Sequence, residues 1–162
     1  MKVLLIGFGN PGRLDDGLGP ALAERLEKAN LPGLTVDANY QLTVEDADAV
    51  SKHDVVIFVD ASVNGPEPFS FYKIQPQTED MSFSTHSIEP ESVLGMAHEM
   101  FDAKTKGYVL GIRGYEFNEF GQELSSDATI NLELAIKFIL STIQKQNFDE
   151  VLTNIPSNPK AR

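Results

Sequence analysis

The run Val3-Leu4-Leu5-Ile6 empties directly into Gly7-Phe8-Gly9-Asn10-Pro11-Gly12-Arg13-Leu14-Asp15-Asp16-Gly17-Leu18-Gly19. A short apolar strand that ends in small residues opens an α/β unit, because glycines let the backbone turn sharply and approach something closely. Glycines 7, 9 and 12 fit the spacing of a dinucleotide fingerprint, G-x-G-x-x-G. That fingerprint needs a helix to begin at once. Here Pro11 intervenes, and two carboxylates precede any helical periodicity. Residues 13–17 therefore read as a loop carrying acid groups to a sheet edge. Such groups suit a metal ion and repel a pyrophosphate, so the nucleotide reading is the weaker one.

The rest of the chain continues the pattern. Leu18, Ala21, Leu22 and Leu26 recur at helical spacing as far as Lys28 to Asn30, and Pro32-Gly33 breaks the helix. Leu34 to Asn39 alternates like a strand. Thr43 and Asp46 resemble a capping box with Leu42 as its staple, which predicts a short helix over Val44 to Ser51. Residues 54–60, Asp-Val-Val-Ile-Phe-Val-Asp, suit a parallel strand covered on both faces. Phe69 to Ile74 reads as an edge strand, and a helix follows Pro90. Gly107 to Arg113 is the last central strand, and Ser126 or Asp127 caps a long helix with a stripe through Leu132, Ala135, Ile136 and Ile139. This order predicts an α/β fold: a three-layer α/β/α sandwich around a mostly parallel sheet of about five strands. The expected organisation is one domain over residues 1–146 and a loose tail over 147–162, where periodicity stops and two prolines occur.

The 162 residues are long enough for one full core. A formal charge of -11 argues against nucleic acid and anionic membrane surfaces as partners. With no cysteine, thiolate catalysis, disulfides and iron–sulfur ligation are excluded. No apolar run is long enough to span a bilayer, and no signal-peptide pattern precedes the first strand. A cytoplasmic monomer is the expectation.

Open α/β sheets carry their sites beyond the carboxyl ends of their strands. Three side chains fall there: Asp16 after the first strand, Asp60 at the end of the third, and His86 just before a helix. Two oxygen donors and one imidazole make a partial ligand set for a divalent ion such as nickel or zinc. Each also has a plainer reading. Asp15 or Asp16 could cap the first helix, Asp60 could bond the neighbouring turn, and His86 could be a loop or capping residue. His53 and His98 read as surface groups.

The opening motif, together with Val55 to Ala61, Thr85-His86-Ser87 ahead of Pro90 to Leu94, and Gly111-Ile112, resembles the hydrogenase maturation proteases. The resemblance spans most of the chain up to the final helix. It implies a phosphorylase/hydrolase-like fold and an endopeptidase that trims the C-terminal extension from the large subunit of a nickel–iron hydrogenase. The partner would be that large-subunit precursor. In the family the matching acidic residues and histidine bind metal, which places the role on Asp16, Asp60 and His86. The nickel comes with the substrate, and no tightly bound cofactor is expected. Gly9, Asn10, Gly17 and Gly114 would support the loop or orient substrate. Gly114 is a departure, because the family often has proline there, and Tyr115-Glu116-Phe117 beside it could read a different substrate tail.

No Gly-x-Ser-x-Gly elbow or His-Glu-x-x-His helix is present. Either Asp16 or Asp60 could act as general base, although an ordinary aspartate titrates near pH 4. Two other classes stay open on the residues alone: a generic metal-dependent hydrolase or peptidase, and a non-enzymatic metal- or nucleotide-binding module.

Overall fold

The computed structural model describes residues 1–78 and 88–153. Five strands form one sheet in the order β2–β1–β3–β5–β4. β1 (Val3–Phe8), β2 (Leu34–Asn39), β3 (Val55–Ser62) and β5 (Lys106–Arg113) run parallel, and β4 (Phe69–Ile74) joins β5 antiparallel. The first and third strands are neighbours, in register from Val3 opposite Val55 to Gly7 opposite Val59.

Strand alternation divides the core into two layers. Leu5, Ile57 and Leu110 face α1 (Leu18–Ala29) and α4 (Ser126–Lys145). Leu4, Ile6, Val56, Phe58 and Val109 face α2 (Asp46–Ser51) and α3 (Pro90–Phe101). Successive side chains of a strand point to opposite faces, so an unbroken apolar run serves both layers at once. Each large side chain so buried contributes roughly 1.5–3 kcal/mol.

The helices start for local reasons. Pro90 takes the first turn of α3, where a missing N–H costs nothing. Ser125 caps α4, its hydroxyl accepting from the Ala128 amide; the cap lies one residue before the expected Ser126. The Asp46 carboxylate accepts the Thr43 amide at 2.8 Å, as the capping pair predicts. Residues 44–45 form a turn, so α2 begins at Asp46 rather than Val44. α1 rests on the sheet through Gly19, where an added Cβ would lie 2.5 Å from the carbonyl oxygens of both Phe8 and Val59.

The expected tail boundary at residue 147 moves. Residues 148–150 form a 3-10 turn whose Phe148 is buried and stacks on Tyr108 at 5.4 Å. The Tyr108 hydroxyl donates to Asp149 at 2.7 Å. Beyond it, the Thr153 amide donates to the Phe71 carbonyl at 2.9 Å, and its hydroxyl accepts the Phe71 amide at 2.8 Å. The chain thus stays docked to residue 153 and covers part of the outer edge of β4. A lone aromatic without periodicity gave no helical or strand signal. Residues 154–162 lie outside the described residues. Among those described, no helix is long and apolar enough to cross a membrane.

Phe148→Ala should lower unfolding free energy by about 3–4 kcal/mol, the usual cost of emptying an aromatic site. An unchanged denaturant midpoint would show that the 148–153 segment carries no core weight.

Candidate functional site

The loop after β1 is folded onto itself. Gly9 adopts φ 141°, a backbone region that side chains rarely enter, and a Cβ there would run into the Asp16 carbonyl. The Asn10 side chain accepts the Gly12 amide at 2.8 Å and the Asn10 carbonyl accepts the Arg13 amide at 3.0 Å. The Asn10 amide in turn donates to Asp16 Oδ2 at 2.8 Å. Gly17 packs on Pro11, to whose Cα an added Cβ would approach within 3.0 Å. Gly9, Asn10 and Gly17 are thus bound into the loop's own packing. The nucleotide alternative fits poorly here, since the Asn10 amide faces a carboxylate and the helix proper starts only at Leu18.

The two neighbouring aspartates have different fates, and neither is the side-chain cap of α1. Asp15 is fully buried and accepts four bonds from residues a hundred or more positions away. They come from the amides of Tyr115 (2.8 Å), Glu116 (3.0 Å) and Ser125 (2.7 Å), and from the Ser125 hydroxyl (2.7 Å). Burial by itself pushes this carboxyl up, but the Ser125, Glu116 and Tyr115 donors outweigh it and hold Asp15 below the usual 3.8. Asp15 therefore ties the loop after β1 to the loop after β5. Sequence reasoning missed this role; the Asp-Asp doublet was its only signal.

Asp16 is half-buried and points elsewhere. It lines a pocket of about 550 Å³ with Phe8, Gly9 and Asp60, to which residues 40–42 and 88–90 also contribute. Asp60 reaches it because alternation along β3 sets it on the same face as Val56 and Phe58. Topology thus brings Asp16 and Asp60 into one cavity at the carboxyl rim. Tyr40, Gln41 and Glu89 also line it and were not singled out from sequence. His86 lies outside the described residues, and among those described no group of three acidic or histidine side chains is set to hold a metal. His53 and His98 are not simple surface groups: both are half-buried and bond backbone carbonyls, of Ala49 and Thr105 respectively, each at 2.7 Å.

A curated protein of Methanocaldococcus jannaschii, provisionally named a hydrogenase maturation protease, is 31% identical over 159 aligned residues, covering 88% of this chain and 97% of that relative. The chain belongs to the hydrogenase maturation protease family. The fold agrees. The hydrogenase maturating endopeptidase HybD of Escherichia coli superposes with a TM-score of 0.65 at 20% identity, covering 91% of this chain and 94% of that one. The nickel–iron hydrogenase maturation protease HycI of Thermococcus kodakarensis gives 0.68 at 24% identity, covering 88% and 92%. No protein-family model matches the chain.

Within that family the departure at Gly114 has a local cause. Its amide donates to the Ser62 carbonyl at 2.9 Å, and an added Cβ would sit 2.9 Å from Asp15 Cβ and 2.8 Å from Phe117. Proline would lose the bond and strike the Asp15 clamp. Gly114 is thus a packing requirement of this maturation protease's own loop.

The clamp gives a pH signature. A carboxylate held below its unfolded value contributes stability above that value and loses it as pH falls through the folded one. Asp15→Asn should destabilise the protein at pH 7 by about 2–3 kcal/mol, since an amide offers one acceptor to four donors. The gap to wild type should narrow once pH drops below 3.8 and the wild-type carboxyl protonates. A gap constant down to acid unfolding would rule out an ionised clamp.

Proposed function

We propose that this chain removes the C-terminal extension from the large-subunit precursor of a nickel–iron hydrogenase after nickel insertion, with Asp16, Asp60 and His86 meeting the metal that the substrate presents. The observation that carries the reading is the convergence of Asp16 and Asp60 on one rim pocket in a chain of this family. His86 stands two residues before Ile88, which lines the same pocket. Asp16 Oδ2 is committed to the Asn10 amide, and its second oxygen has no hydrogen-bond partner among the described residues.

In peptide hydrolysis the carbonyl carbon gains a water oxygen, the C–N bond breaks, and a proton passes from the water to the leaving amine. An aspartate carboxylate oxygen in the pocket would relay that proton, while nickel carried by the substrate would polarise nearby oxygens. The reading takes the protease as a cytoplasmic monomer that holds no tightly bound metal of its own.

Incubation with precursor, with and without nickel, followed by intact-mass measurement, tests this. Nickel-loaded precursor should lose its extension. Asp16→Asn and Asp60→Asn should each cut kcat/KM by roughly 100-fold or more while the thermal midpoint stays close to wild type. Equal cleavage of nickel-free precursor would remove the metal from the reading, and full activity in both variants would remove the site.

A further inference from the structure

The sheet has two edges, and they are treated differently. The outer edge of β4 is partly taken by Thr153. That of β2 has no paired strand among the described residues. The carbonyls of Gly33 and Asn39 turn inward, to the amides of Val3 and Gly9 at 2.9 and 3.0 Å. By alternation the even residues Val36 and Ala38 turn their amides and carbonyls outward. Such a row is a template for another extended chain.

This edge leads into the candidate site. A cavity of about 320 Å³ lined by Pro20, Ala38 and Tyr40 shares Gly9 and Tyr40 with the Asp16–Asp60 pocket. It shares Pro20 and Ala38 with a further hollow of about 620 Å³ against α1, whose wall carries Glu24 and Glu27. Shared walls thus set the three hollows side by side, from the carboxylates to the β2 edge. Tyr40, 72% exposed, stands in the wall common to the first two. Exposed acids flank the edge on both faces: Glu27 and Glu24, the latter also paired with Lys28 at 3.3 Å, on the α1 side, and Asp37 on the α2 side. A strand added here would send alternate side chains to both faces, and basic ones would meet a carboxylate on either.

We propose that the protease takes its substrate by strand addition: an extended, basic segment flanking the scissile bond pairs with Val36 and Ala38 and bends at Tyr40 into the Asp16–Asp60 pocket. This rests on the function proposed above. It makes the β2 edge the element that reads substrate sequence, while the pocket reads the cleavage point. Charges on an edge also serve to deter unwanted pairing, and that plainer role predicts no effect on substrate.

The test combines kinetics with amide exchange. With nickel-loaded precursor, Glu24→Lys combined with Glu27→Lys should raise KM roughly five- to tenfold with kcat nearly unchanged, and Asp37→Lys on the other face should do the same. None of these side chains is needed for the core, and an unchanged thermal midpoint confirms folding. A synthetic peptide copying the precursor's cleavage junction should slow exchange of the Val36 and Ala38 amides, with little change in the other β2 amides already bonded to β1. Wild-type KM in both variants, or unslowed exchange at both amides under saturating peptide, overturns strand addition. Failure of the wild-type protein to process any precursor would instead sink the proposed function, so the two failures are distinct.

Discussion

One buried carboxylate holds the rim together. Asp15 takes four donors from a segment a hundred residues downstream, in a place that water does not reach. A charge in such a position is costly alone and stabilising when its acceptor sites are filled. Filling them fixes the loop after β1, the start of the loop after β5 and the cap of α4 in one arrangement. Ser125 serves twice, giving its hydroxyl proton to Asp15 and accepting the Ala128 amide. Everything that Asp16 can do follows from this, because its backbone leaves the clamp in the adjacent residue.

The doublet separates two duties that a single carboxylate could not combine. A group saturated with donors is a poor base and a poor ligand, since its lone pairs are spent. Asp15 is in that condition, and Asp16 gives up only one oxygen to the loop. The same logic explains Gly114: with Asp15 pressed beneath it, a residue of any size would have to displace the anchor.

Much of this was legible in the chain. Central strands announce themselves because burial on both faces demands unbroken apolar runs, and β1 and β3 are such runs. The rim position of Asp16 and Asp60 followed from strand order, which places the ends of β1 and β3 side by side. The clamp was not legible, since a bond between residues 15 and 125 leaves no periodic trace. Neither was Phe148, whose anchorage depends on an aromatic neighbour, Tyr108, in a distant strand. The α4 cap was displaced by one residue because three candidate side chains stand in a row, Ser125-Ser126-Asp127, and tertiary contact with Asp15 selects the first.

Thr153, by taking the backbone of Phe71, also bounds how the molecule can assemble with itself. A sheet with two free sides can grow without limit, each copy offering a side to the next. A sheet partly occupied on one side offers a further copy fewer free groups there, so pairing is directed to the other side. Eight residues after the end of α4, a single threonine thus blunts one side of the sheet and biases edge-to-edge contact between copies toward β2.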